Sequence, residues 1–314
     1  MSPASTRALA TLSGCFELAL SLQSRGIHRE GGAMGNIWYV DGEYVDCGSA
    51  LLPAADLAVL RGYGIFDFTR SYGGRPFRLD DHLQRLGRSA ELVLLDLPLP
   101  LPQIRDVVLE TLARNGYPGR GEARLRLVVT GGDSPDDITP AGNSRLLVLV
   151  TPFAAQPAER YRDGVKIVTS RQERRMPEAK TIDYVSAILA QRGARQAGAV
   201  EAIYVNRQGH ALEGTTTNLF AVIDGRLVTP GDGILYGVTR QALLELAEQG
   251  MPVERRPLPL EELLRADEVF ITSSSKEVCP VRQVDDTIIG PPGPQTRALM
   301  QDFREMAAAW ARCG

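Results

Sequence analysis

The sequence predicts a mixed α+β protein in two parts, and three observations carry that prediction. Asp41-Gly42 and Asp224-Gly225 each sit between apolar runs and mark β hairpins. Leu83, Leu86, Ala90 and Val93 recur at helical spacing after a polar start. Pro152–Arg160 carries two prolines and small residues and reads as a linker between halves. A chain of 314 residues suffices for one large domain or two modest ones, each with its own core.

The elements follow in order. Asn36–Val40 and Glu43–Val45 are predicted strands across the first Asp-Gly turn. Gly62–Tyr72 reads as a glycine-led turn entering a strand, closed by Gly73-Gly74. Leu79-Asp80-Asp81 offers an N-cap for the helix that follows. Leu125–Thr130 and Leu146–Val150 are strands around the loop Gly131–Asn143. Beyond the linker, Val165–Thr169 is a strand and Tyr184–Gln196 a helix. Ala202–Val205 and Asn218–Val222 are strands, and a helix runs from near Thr239 to a stop at Gly250. Glu268–Thr272 is a strand, and Pro294–Trp310 is the last helix. No repeat or low-complexity tract occurs.

Composition excludes several functions. The apolar fraction is 44% and the charged fraction 23%, ordinary for a globular protein. A net charge of -3 gives no reason to expect nucleic acid or an anionic membrane as partner. No apolar run is long enough to span a bilayer. Met34 stands just before the first clear strand, so residues 1–35 read as an N-terminal extension, either a loose tail or a product of where translation was assigned to start. Its apolar stretch Ala8–Leu22 is interrupted by Glu17 and lacks a small-residue cleavage site, so a signal peptide is not expected. Cys15, Cys47, Cys279 and Cys313 form no pair at metal-ligand spacing, which suits a reduced, cytoplasmic protein. His28, His82 and His210 are the only histidines, and none is placed for zinc. Lysine occurs only at Lys166, Lys180 and Lys276, so an amine nucleophile has three candidates.

Lys180 lies just before a predicted helix. A lysine that forms an imine must be deprotonated, and burial lowers its pKa. By position alone the plainer reading, a solvated lysine at a helix start, is the stronger. Glu213, in Leu212–Asn218, is a carboxylate suited to keep a pyridine nitrogen protonated. Its plain alternative is a turn acid capped by threonine hydroxyls. Three segments offer parts of a phosphate site: Gly237-Val238-Thr239-Arg240 at a helix start, the hydroxyl-rich Thr272–Ser275, and Arg85 on the helix after His82. Each is weak alone. No Walker A motif is present, and Gly62-Tyr63-Gly64 lacks the third glycine of a dinucleotide fingerprint.

Taken together, five groups of residues occur in one order. They are Arg61–Asp67, then Phe77–Leu86, then Lys180-Thr181, then Glu213–Phe220, then Gly237–Arg240, with Asp267–Phe270 and Thr272–Ser275 closing the series. From Asn36 to the C-terminal helix this resembles the class IV aminotransferases, the fold-type IV enzymes of pyridoxal 5′-phosphate (PLP). The resemblance implies a small α+β domain over 36–151, a linker over 152–162, and a larger β-barrel-like cofactor domain over 163–314. It implies a homodimer and a place in amino-acid biosynthesis. It also implies site roles. Lys180 is the Schiff-base lysine and moves the α-proton. Glu213 pairs with the ring nitrogen. Arg85, Val238, Thr239 and Ser274 bind the phosphate. Tyr184 hydrogen-bonds the ring O3′, although it stands one residue closer to the lysine than in branched-chain enzymes, a spacing similar to D-amino-acid transaminases.

Within that family the resemblance points to transamination between branched-chain amino acids and 2-oxoglutarate. Arg126 matches an arginine that receives the side-chain carboxylate of glutamate, Phe66 and Phe68 supply an apolar wall, and Ser275 lies on the substrate side. Arg70 is either part of this pocket or a surface charge on its strand, and a surface charge is the plain alternative for Arg126 as well. D-amino-acid transaminases usually carry an arginine near the position of Gly131, which is absent from Val129–Asp133. An aminodeoxychorismate lyase would share the same cofactor site.

Overall fold

The computed structural model describes residues 35–312; the expectation for residues 1–35 lies almost wholly outside them. The first part runs β1 (Ile37–Val40), β2 (Glu43–Asp46), α1 (Leu57–Arg61), β3 (Gly64–Tyr72), β4 (Arg75–Pro76), α2 (Leu79–Leu92), α3 (Leu101–Arg114), β5 (Ala123–Thr130) and β6 (Arg145–Pro152). The six strands form one antiparallel sheet in the order β2-β1-β6-β5-β3-β4. Asp41 and Gly42 both take positive φ, 46° and 103°, as a tight hairpin of matching twist requires.

Strand alternation decides what each face of this sheet does. Ile65, Leu125, Leu127, Val129, Leu146, Val148 and Val150 point to one face. There they pack on Leu83 and Leu86 of α2 and on Ile104 and Val108 of α3. Each such buried aliphatic side chain stabilises the fold by about 1.5–3 kcal/mol. The opposite face of β3 and β5 carries Phe66, Phe68, Arg124 and Arg126 and is left for the site. The helix α2 is not capped by Asp80 or Asp81. The chain enters it through Arg78 in a left-handed conformation, φ 48°, with no side-chain cap. Both aspartates sit in the first turn, where the helix dipole favours them.

The second part runs α4 (Glu159–Asp163), β7 (Val165–Arg171), α5 (Val185–Gln196), β8 (Glu201–Val205), β9 (His210–Gly214), β10 (Asn218–Ile223), β11 (Arg226–Thr229), α6 (Val238–Ala247), β12 (Val253–Arg255), β13 (Leu258–Pro259), α7 (Leu260–Leu263), β14 (Glu268–Ser273), β15 (Glu277–Val284), β16 (Thr287–Ile288) and α8 (Pro294–Arg312). Strands β10-β14-β15-β7-β8-β9 follow one another, and β9 pairs back to β10 through Glu213 and Asn218. The six therefore close into a barrel. Its strands bury both faces, so they read as unbroken apolar runs such as Leu219–Val222. Leu219, Ala221, Val269 and Ile271 enter one core. Phe220, Val222 and Phe270 enter the other, under α6 and α8.

Helix α8 reaches from the barrel to the first sheet. Its Trp310 indole donates to the Pro76 carbonyl at 3.2 Å and packs edge-on to Phe77 at 5.4 Å. This contact, with the pairing of residues 180–182 against β3 described below, fixes the free face of β3 and β5 opposite the end of the barrel.

Candidate active site

A cavity of about 470 Å³ lies between that free face and the barrel end. Its size suits a small organic ligand. The segment carrying Lys180 is pinned along its edge. The Phe66 amide donates to the Lys180 carbonyl at 2.9 Å, and the Ile182 amide donates to the Gly64 carbonyl at 3.0 Å. The Lys180 amide donates to Ser89 Oγ of α2 at 3.1 Å. Gly64 permits this closeness, because a Cβ there would lie 2.7 Å from the Val129 carbonyl oxygen and 2.9 Å from Ile182 Cδ1. The Lys180 Nζ sits 4.6 Å from the centre of the Phe66 ring. Burial, reinforced by the positive charge of Arg85, pushes its pKa down to about 7.

Glu213 stands at the barrel seam and is 4% exposed. Its Oε2 accepts from the Leu235 amide at 3.0 Å, and its Oε1 accepts from Arg174 Nη1 at 3.1 Å. Burial raises its pKa, and Arg174 opposes the rise. The neighbouring threonines do not cap it. Thr216 Oγ1 donates to Glu201 at 2.7 Å, Thr217 Oγ1 reaches the same oxygen at 3.4 Å, and Thr215 Oγ1 also donates to Glu201. Glu201 is fully buried, and these hydroxyls satisfy it. The loop is therefore built around Glu201, which leaves Glu213 to face the cavity.

At the other end the cavity meets Arg85, Val238, Thr239 and Ser274. Asp67, inward-facing on β3 and fully buried, holds Arg85 by two bonds, Nε to Oδ2 at 2.9 Å and Nη2 to Oδ1 at 2.7 Å. His82 Nδ1 lies 2.7 Å from the same carboxylate. Burial alone would raise the Asp67 pKa, but Arg85 and His82 outweigh it and hold it well below the usual carboxylate range. Burial keeps His82 pulled down toward the neutral form. Helix α6 opens after Gly237 without a side-chain cap, so its first amides point outward. Thr272 Oγ1, buried in the same wall, has no hydrogen-bond partner among the described residues. An arginine, free helix-start amides and an orphaned hydroxyl together suit a phosphate.

The remaining expected residues also meet here. Phe66, Arg126, Tyr184 and Ser275 line the cavity, as does Phe68. Tyr184 packs edge-on to Phe66 at 5.4 Å, and the Arg126 guanidinium lies 5.4 Å from that ring. Residues Pro152, Phe153, Ala154 and Gln156 of the expected linker form part of the wall. Arg70 does not reach the cavity. It pairs with Glu277 at 3.0 Å and stacks 3.7 Å over Phe153, so it is neither a surface charge nor a substrate contact.

Sequence reasoning missed Arg174, Lys276, Asp67 and Asn218. Alternation along β3 could have flagged Asp67 as an inward charge needing a partner. Nothing local marks Arg174, whose role depends on a loop folding back on Glu213. A lysine of lowered pKa, a buried acid and an anion cradle around one cavity fit PLP, which carries an aldehyde, a ring nitrogen and a phosphate.

The model of the amino-transferase class IV family matches residues 64–284. The chain is 30% identical over 285 residues to the branched-chain-amino-acid aminotransferase of Escherichia coli, covering 85% of this chain and 91% of that one. The crystal structure of that E. coli enzyme superposes with a TM-score of 0.81 over 88% of this chain and 95% of its own, at 29% identity. A chloroplastic D-amino-acid transaminase of Arabidopsis thaliana is 31% identical over 279 residues, 83% of this chain and 73% of that one. A second branched-chain amino acid aminotransferase, solved with pyridoxamine 5′-phosphate, superposes with a TM-score of 0.82 at 27% identity, over 88% and 96% of the two chains.

Proposed function

The chain belongs to the class IV aminotransferases, and from that membership we propose that it moves the amino group of branched-chain amino acids to 2-oxoglutarate with PLP as cofactor. The observation that carries the substrate class is one wall that combines Phe66 and Phe68 with Arg126. Such a wall accepts an apolar branched side chain in one half-reaction and the side-chain carboxylate of glutamate in the other. Similarity to branched-chain enzymes supports the same reading.

When bound, PLP supplies an aldehyde that takes up the amino group and a pyridinium ring that withdraws electrons from the carbon losing its proton. In this reading Arg85, Val238, Thr239 and Ser274 hold the phosphate. Glu213 keeps the ring nitrogen protonated, and Tyr184 donates to O3′. Lys180, whose amine pKa is pushed down to about 7 and which is therefore deprotonated in a large fraction of molecules at neutral pH, takes the proton from the substrate Cα and returns it one step later. Phe66 and Phe68 exclude water, while Arg126 and Ser275 orient the substrate.

Transamination of D-amino acids is the second reading, favoured by the Arabidopsis relative and by the Lys180–Tyr184 spacing. Gly131 weighs against a D-alanine-type arginine at that position. A Cβ there would lie 2.4 Å from Tyr63 Cδ1 and 3.0 Å from Leu57 Cβ. The deciding experiment is a half-reaction screen of the holoenzyme with L- and D-amino acids, followed by the cofactor spectrum. Leucine, valine and glutamate are expected to react fastest, and a preference for D-alanine over every L-amino acid overturns the proposal.

We also place the enzyme in the cytoplasm as a homodimer. Among the described residues no helix is long and apolar enough to cross a membrane. Helix α5 starts beside the cavity and exposes Val185, Ile188 and Leu189, each more than 60% accessible. That face suits a second copy of the chain, and the mass in solution by light scattering tests it.

A further inference from the structure

Three cations line the cavity beyond those assigned to the cofactor and its supports. Arg85 is held by Asp67, Arg174 by Glu213, and Lys180 is the reactive amine. Arg124 and Arg126 remain on the β5 wall, and Lys276 stands across from them in the turn between β14 and β15. An apolar amino acid brings one carboxylate to the site, and glutamate brings two.

Lys276 and Arg126 are held differently. The Lys276 ammonium donates to Thr216 Oγ1 at 3.0 Å and lies 3.7 Å from Glu201 Oε2. Its side chain is only 14% exposed. Thr216 itself donates to Glu201, so it can only accept from the lysine. Glu201 already accepts from all three hydroxyls of Thr215–Thr217 and from the Thr215 amide at 3.1 Å. Lysine has three donors, and one is used on Thr216. Glu201 Oε2 fixes the position of the charge on one side, and no further hydrogen bond of the ammonium is made among the described residues, which leaves a donor for an occupant of the cavity. Arg126 makes no hydrogen bond or ion pair among the described residues and is exposed at the mouth. Its long side chain is free to swing away.

A pocket that must take both an apolar and an acidic side chain needs a rigid anchor for what its substrates share. It needs a movable receptor for what differs. We propose that Lys276 is the substrate-binding cation for the α-carboxylate common to every amino acid and 2-oxo acid used, leaving Arg126 for the side-chain carboxylate. This rests on the aminotransferase reading, but not on which amino acid is preferred.

The test compares Lys276→Met and Lys276→Arg with the wild-type holoenzyme. KM is measured for leucine, glutamate and 2-oxoglutarate. The dissociation constant of 4-methylpentanoate, a carboxylic acid with no amino group to react, is read from the cofactor spectrum. In Lys276→Met all four constants should rise by a similar factor of about ten or more, as when a charged hydrogen bond is lost. kcat and PLP affinity should change little, and Lys276→Arg should restore part of the loss. A rise confined to glutamate and 2-oxoglutarate, or unchanged 4-methylpentanoate binding, overturns the assignment. Should the wild type favour D-alanine, the branched-chain proposal fails alone, and the same comparison on D-alanine still decides the role of Lys276.

Discussion

Arg174 donates to Glu213 Oε1 at 3.1 Å and to the Pro177 carbonyl at 2.8 Å, so one guanidinium ties the buried acid to the segment that carries Lys180. Removing it leaves a buried carboxylate without its cation, which costs about 3–5 kcal/mol in comparable buried pairs. Arg174→Met should therefore lower the melting temperature clearly. It should also raise the Glu213 pKa further. In the proposed role Glu213 acts as a carboxylate, so as pH falls the Met variant should lose activity at a higher pH than Arg174→Lys does. Thermal unfolding and a pH–rate profile check both points.

Glu213→Gln removes the charge and keeps the shape. Glutamine can still accept from the Leu235 amide, so bound PLP should be retained. It cannot keep the ring nitrogen protonated, so turnover should fall by a barrier of about 3 kcal/mol or more, the scale on which other electrostatic stabilisers act. Near-normal single-turnover rates in a variant of normal PLP content would contradict the role.

Lys180 should carry the cofactor. Borohydride reduction of the yellow holoenzyme followed by peptide mapping should find pyridoxyl on Lys180 alone. Label on Lys166 or Lys276 instead would sink the assignment. In the apoenzyme the Lys180 amine should titrate near 7, which the pH dependence of its acylation rate measures.

The Asp67–Arg85 pair predicts a pH dependence of stability. Asp67 has a folded pKa depressed below its unfolded value, so the folded state binds its proton less readily. The resulting stabilisation is fully present above the unfolded value, about 4. It is lost as pH falls through the lower folded one. Asp67→Asn should thus be less stable than wild type at pH 7, and the gap should narrow below about pH 4 in denaturant titrations. If Arg85 holds the phosphate as proposed, Arg85→Ala should weaken PLP binding more than it slows chemistry, because the reacting atoms lie elsewhere.

The order of elements was legible because alternation and helical spacing are local. The strand at Leu219–Val222 and the helix of Leu83, Leu86 and Ala90 both stand where the residues predict. The strand Glu277–Val284 was not, because Pro280 lies within it and proline argues against a central strand. Helix α3 was passed over too, although its apolar spacing at Ile104, Val108 and Leu112 is regular. The residues that line the cavity could be named from the ordered motifs. Their supports could not, since Arg174 meets Glu213 across 39 residues and Lys276 meets Thr216 across 60. A long-range ion pair leaves no trace in local spacing.

Arg126 gives the sharpest test of substrate. It shares the free face of the first sheet with Phe66, whose ring lies 5.4 Å from the guanidinium. In the proposed reading the ring meets the side chain of leucine and the charge meets that of glutamate. Arg126→Ala removes the charge and leaves Phe66 and Phe68 in place. Activity with glutamate or 2-oxoglutarate should fall by about ten-fold or more, since a charged hydrogen bond contributes about 1.5–3 kcal/mol and about 1.4 kcal/mol is a factor of ten. Activity with leucine or valine should change much less, because their side chains offer the arginine nothing to bind. The quantity to compare is kcat/KM for each substrate against wild type. A variant that loses both substrates equally would show that Arg126 holds the shared α-carboxylate or only shapes the wall, and the division of labour with Lys276 would then be reversed or void.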